Sequence, residues 1–169
     1  PPMIFLADIL RNDPDFTPFV ILGSEVPFPF PARPSQILTP GMPEGITATM
    51  PLLDDWGIPC RLTSLQGDPG CHEGYVTELA ARWLEVLDRE SRQKVEIFSC
   101  GPHPMLEAVA ALAREYDLPC QVSLEEFMAC GVGGCAGCVV SAATDEGATM
   151  KRVCVDGPVF DARAVFPAG

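Results

Sequence analysis

Residues 130–138 read CGVGGCAGC, three cysteines in nine residues with only Gly, Ala and Val between them. A hydrophobic core would want bulkier side chains, and a disulfide needs only two thiols. The stretch is a loop built to wrap closely around something that the thiols hold. A fourth cysteine follows at a distance, giving Cys130-x4-Cys135-x2-Cys138-x15-Cys154.

C-x4-C-x2-C with a remote fourth cysteine is the plant-type [2Fe–2S] spacing. A dinuclear cluster needs two thiolates on each iron, and its bridging sulfides accept hydrogen bonds. A tight loop supplies successive backbone N–H groups as a nest for that negative charge. Gly131, Gly133, Gly134 and Gly137 permit the close backbone approach that bulkier residues would block. A zinc site with four cysteine ligands is chemically similar, but draws its ligands more often from two well-separated C-x2–4-C pairs. Free thiols on a glycine-rich loop would have little core to fill. Glu125 and Glu126 lie just before the loop. Beside a cluster their charge would lower its potential, and they equally suit a solvated turn. Met128 and Val132 are expected to cover the loop against water rather than to act as ligands.

Before Leu124 the chain has a different character. Short β-branched runs, Phe19–Gly23, Cys60–Leu65, Lys94–Ser99 and Cys120–Leu124, are separated by two amphipathic stretches, Tyr75–Glu90 and His103–Tyr116. Their apolar residues recur at helical spacing, with Val76, Leu79, Trp83, Leu84 and Leu87 on one face of the first and Leu106, Val109, Leu112 and Ala113 on one face of the second. Strands alternating with crossover helices predict an α/β fold, a mostly parallel open sheet with helices on both faces. The segment Pro27–Pro43 has six prolines in 17 residues and is expected to run over the surface. After Leu124 helical periodicity is lost, and short β-like pieces (CVVSA, KRVCV, PVF) alternate with Gly and Asp turns. Two domains are expected, an α/β domain over 1–124 and a small β-rich cluster domain over 125–169. The chain opens PPMIFLADIL, without a signal-peptide pattern, as a helix entered in mid-domain, so the α/β domain is expected to be N-terminally incomplete.

A net charge of −12 argues against nucleic-acid and anionic-membrane surfaces. No apolar run approaches the roughly 20 residues of a membrane span. Four of the eight cysteines crowd the last 40 residues and the others are dispersed, which suits a reducing cytosol better than a disulfide framework. In the α/β part, SCGPHPM places Cys100, Gly101 and Pro102 where a strand ends and a helix begins. Ligands bind at that carboxyl edge in open α/β sheets, though an ordinary strand-to-helix turn would look the same. His103 is expected at a surface helix start, and His72 in a loop without a partner. There is no G-x-G-x-x-G, and no Ser-His-Asp set, HExxH or paired-carboxylate constellation stands out.

SCGPHPML resembles the C-G-P-x-x-M motif of ferredoxin–NADP reductase-like flavoproteins. EEFMACGVGGCAGCVV with RVCVDGPVF closely resembles the tail of the electron-transfer subunit of dihydroorotate dehydrogenase type B, and LGSEVPFPF and GYVTEL are similar to that subunit too. The fourth-cysteine gap is shorter than in plant-type ferredoxins, which favours the reductase tail. The resemblance implies an FAD-binding barrel ahead of an NAD-binding α/β domain and a [2Fe–2S] domain. It implies a cytoplasmic hetero-oligomer in pyrimidine biosynthesis, with electrons passing from dihydroorotate through FMN in a separate catalytic subunit, then the cluster and FAD, to NAD. Cys130, Cys135, Cys138 and Cys154 would hold the cluster, Cys100, Gly101 and Pro102 would lie at the nicotinamide side of the NAD site, and no acid–base residue is required of this chain. The fragment alone is not expected to complete the transfer. A sibling reductase subunit, NAD(P)H:ferredoxin or hydrogenase-linked, shares this architecture, and a four-cysteine zinc docking module is the reading from another class.

Overall fold

The computed structural model describes residues 2–168, which divide into two compact units, one through Arg92 and one from Gln93 on. In the first, helix α1 (Pro2–Leu10) begins at a proline, whose missing N–H costs nothing in a first turn. Strand β1 (Val20–Ser24) leads into the proline-rich excursion. That segment is irregular apart from β2 (Arg33–Pro34), which pairs antiparallel with β3 (Ala48–Thr49) over two residues. Arg33 ties it to Asp54 and Asp55 at the end of helix α2 (Pro51–Asp55), another helix opened by proline.

Strand β4 (Cys60–Ser64) lies between β1 and β5 (His72–Glu73), parallel to both, with β1 in register from Val20↔Cys60 to Ser24↔Ser64. All five residues of β4 are buried, as a central strand covered on both faces requires. Even Arg61 is inside, its guanidinium donating to the Cys60 and Ile37 carbonyls at 2.6 and 2.8 Å. Helix α3 (Val76–Val86) starts where the Glu78 carboxylate accepts the Tyr75 N–H at 3.0 Å, and α4 (Arg89–Gln93) lies at the division. Leu62 is fully buried at the centre of β4. Leu62→Ala is therefore expected to cost about 2–5 kcal/mol of stability. Tryptophan fluorescence during urea unfolding measures it, because Trp56 and Trp83, the two tryptophans of the chain, both lie in this unit.

In the second unit β6 (Ile97–Cys100), helix α5 (His103–Glu115) and β7 (Cys120–Ser123) form a parallel βαβ turn, with Ile97 opposite Cys120 and Cys100 opposite Ser123. A hairpin follows, β8 (Val139–Thr144) and β9 (Gly147–Arg152), then a one-turn helix α6 (Val153–Asp156), β10 (Val159–Asp161) and α7 (Ala162–Val165). β10 pairs antiparallel with β7 and extends that sheet to the order β10-β7-β6. Leu106, Val109, Ala110 and Ala113 of α5 share one core with Val122, Cys138, Val153, Ala162 and Phe166. The sequence pattern changes at Leu124, yet the compact unit begins at Gln93, because the tail contributes both a strand and core residues to the βαβ turn.

The α/β class and the parallel pairing are as expected, but the parallel strands lie in two three-stranded sheets, one in each unit. The expected strand over KRVCV ends at Arg152 instead. The Asp156 carboxylate accepts the Arg152 backbone N–H at 2.7 Å, which turns the following residues into α6 and carries Cys154 with them.

Candidate iron–sulfur centre

The loop 125–138 joins β7 to β8 without regular structure, and its backbone is set by residues with positive φ: Gly131 at 67°, Gly133 at 79° and Ala136 at 53°. These reversals turn several N–H groups toward sulfur. Cys130 Sγ accepts the N–H groups of Val132, Cys135 and Gly134 and the thiol of Cys135, and together these hold the Cys130 thiol down at about 6. The Gly137 N–H points at Cys135 Sγ at 3.4 Å. At the loop's far end the Val153 N–H donates to the Cys138 carbonyl at 2.9 Å, and the Cys154 N–H lies 3.4 Å from Cys138 Sγ. The thiol contact with Cys138 pushes the Cys154 thiol up, while the Gly133 N–H directed at Cys154 acts the other way.

Thiol interactions link Cys135 to Cys130 and Cys138 to Cys154, and Cys130 also acts on Cys154. Among the described residues no three metal-ligating side chains converge closely enough to hold a single ion. Cys130 and Cys135 are exposed, Cys154 is half-buried and Cys138 is buried in the core of the unit. Two thiols for each of two irons, on a backbone already donating to sulfur, is a donor set that fits a [2Fe–2S] cluster.

The expected cover does not form. Val132 is 77% exposed and Met128 52%, and Phe127 beside them is 94% exposed. A backbone that turns its N–H groups toward sulfur turns these side chains to solvent. Arg152 and Asp156 were not singled out from sequence. Arg152 Nη1 donates to the Gly133 carbonyl at 3.1 Å, and its Nε is 3.3 Å from Asp156 Oδ2. The signal available was an opposite-charge pair four residues apart, bracketing Cys154.

Cys100 ends β6, Gly101 makes the turn and Pro102 caps α5, its carbonyl accepting the Met105 and Leu106 N–H groups at 2.9 and 3.1 Å. A Cβ on Gly101 would meet Met105 Cε at 2.5 Å, the far end of a flexible side chain that would have to move aside. His103 stacks edge-on against Phe166 at 5.0 Å, an ordinary packing contact. His72 departs from its expected loop. It is buried in β5 opposite Thr63, with Nε2 3.5 Å from Glu78 Oε2.

Residues 125–166 match the family described as the iron-sulfur cluster binding domain of dihydroorotate dehydrogenase B. The electron transfer subunit of dihydroorotate dehydrogenase B (NAD(+)) from Caldanaerobacter subterraneus subsp. tengcongensis is 39% identical over 105 residues, covering 62% of this chain and 39% of that protein. The subunit of the same description from Listeria welshimeri is 45% identical over 93 residues, 55% of this chain and 33% of that one. This chain is similar to dihydroorotate dehydrogenase B electron-transfer subunits over the matched residues. It spans well under half the length of those relatives. Among solved structures, one reported as an NADH-dependent reduced ferredoxin-NADP oxidoreductase, in a study of flavin-based electron bifurcation, aligns with a TM-score of 0.55 and 28% identity, over 69% of this chain and 38% of that one. That likeness agrees with the reductase-type α/β fold, while the higher identities lie with the dihydroorotate dehydrogenase B relatives. No helix among the described residues is long and apolar enough to cross a membrane.

Proposed function

We propose that this chain is the NAD-side and cluster-bearing part of the electron-transfer subunit of a type B dihydroorotate dehydrogenase. Cys130, Cys135, Cys138 and Cys154 hold a [2Fe–2S] cluster. The observation that carries the reading is a loop whose N–H groups already point at sulfur, Gly137 at Cys135 and Cys154 at Cys138, in a segment that matches an iron-sulfur binding family. In this reading electrons come from an FMN-containing catalytic subunit that oxidises dihydroorotate, in cytoplasmic pyrimidine biosynthesis, and reach NAD through FAD bound by the intact subunit. The cluster supplies one-electron transfer, and flavin is needed because NAD accepts a two-electron hydride.

The chain's own residues supply position and electrostatics. The N–H groups of Val132, Gly134 and Cys135 favour the ionised Cys130 that a metal ligand must be. Cys138, anchored in the core beside Val153, fixes one end of the loop to a rigid element. Cys100, Gly101 and Pro102 form the turn at the nicotinamide side of the NAD site, with the Met105 side chain packed over Gly101.

The test is low-temperature EPR on anaerobically reconstituted, dithionite-reduced protein, with iron, sulfide and zinc assayed on the same sample. The expected result is a spin-half signal with about two irons and two sulfides per chain. An EPR-silent chain holding one zinc would overturn the redox reading.

A further inference from the structure

Building on the cluster assignment just proposed, we infer that Arg152 is a positioning residue of the centre, bracing the Gly133 carbonyl of the thiol loop against the helix that carries Cys154. Three observations meet at this point. The Gly133 carbonyl accepts from Arg152 Nη1 at 3.1 Å, and Arg152 is the residue that caps the helix carrying Cys154. Arg152 is itself held from two sides, because Asp156 Oδ2 takes its backbone N–H at 2.7 Å and its Nε at 3.3 Å. The space is closed as well. A Cβ at Gly133 would lie 3.1 Å from Val155 Cγ2 and 3.2 Å from Arg152 Nη1.

An ordinary i,i+4 ion pair on a surface helix contributes little and leaves its neighbours unaffected. This pair differs because the arginine has a further nitrogen to give, and gives it to a loop 19 residues earlier in the chain. The strut joins the loop carrying Cys130, Cys135 and Cys138 to the helix carrying Cys154. Without it, Gly133 has no side chain to steady it and sits at φ +79°, where a flexible glycine leaves readily. The consequence for the centre is electronic as well as geometric. The strut holds the Arg152 guanidinium beside the thiol loop, and positive charge there stabilises the added electron, so an intact strut raises the reduction potential.

The experiment uses R152Q, R152K and D156A beside the unmodified chain. In the metal-free protein, amide hydrogen exchange at Gly133 is expected to be about tenfold faster in R152Q, the size of one charge-assisted hydrogen bond discounted for a half-exposed site. R152K, which keeps the charge without the fork, should recover only part of the protection. An unchanged rate in R152Q overturns the inference. In the reconstituted protein the midpoint potential of R152Q should fall, about 59 mV for a tenfold change in a one-electron equilibrium. D156A separates position from charge. Removing a negative charge alone would raise the potential, whereas loss of the strut lowers it as in R152Q. A rise in D156A leaves Arg152 as a mere charge and overturns its positioning role. Failure of the cluster assignment would be seen separately, as an unmodified chain that assembles no iron and sulfide while its Gly133 amide is still protected.

Discussion

Cys135→Ser is expected to leave the reconstituted chain without visible cluster absorption, without a reduced EPR signal, and with most of its iron and sulfide gone. Cys135 is the partner of Cys130 in the more exposed thiol pair, and its thiol is one of the groups that steady the Cys130 sulfur. Substitution therefore removes one ligand and unsettles a second. Loss of an outer hydrogen-bond partner already costs about 10–100-fold in metal affinity, so loss of a ligand should cost more. Circular dichroism of the metal-free variant should match the parent, because Cys135 is exposed and makes no part of the core. A Cys135→Ser chain that kept the parent's absorption and iron content would remove Cys135 from the ligand set. Cys138 gives a less clean test of ligation. It is buried among Leu106, Val122 and Val153, so its loss would confound packing with metal binding.

The α/β part was legible because its signals are periodic and local. The helix face of Leu106, Val109 and Ala113 reads directly from spacing, and the prolines bracketing α5 mark its ends. Strand bounds slipped by a residue or more where an apolar run continued past the pairing, as at Lys94–Ser99, of which only Ile97 onward joins the sheet. The tail was legible as chemistry but not as geometry. Spacing pointed to four ligand cysteines, yet not to their pairing, which depends on backbone reversals at Gly131, Gly133 and Ala136. The helix at Val153–Asp156 was hidden because Val153 and Val155 are β-formers by propensity, and a single carboxylate, Asp156, overrides that preference. His72 was hidden for a similar reason, since a two-residue strand leaves no periodic trace. Arg152 leaves only its i,i+4 pairing with Asp156 in the sequence, because its partner in the loop is a backbone carbonyl, which has no sequence signature.

Two glycines of the loop separate conformational strain from space. Gly131 and Gly133 both have φ in the left-handed region, at 67° and 79°, where a Cβ costs about 1–2 kcal/mol. At Gly131 a Cβ would meet nothing within 4 Å, so Gly131→Ala should pay only that conformational cost. At Gly133 the same Cβ would press on Val155 and on the Arg152 guanidinium that grips the Gly133 carbonyl. Gly133→Ala is therefore expected to lose its cluster to an iron chelator at least tenfold faster than Gly131→Ala, the two costs adding where only one applies at the neighbour. Stopped-flow bleaching of the visible band measures both rates. If Arg152 acts through Gly133, then adding R152Q to Gly133→Ala should change the rate less than R152Q does alone, because the substitution has already displaced the arginine from its carbonyl. Equal release rates for the two alanine variants would mean that the space around Gly133 does not matter. The loop would then hold its thiols by backbone conformation alone, without the brace from the helix that carries Cys154.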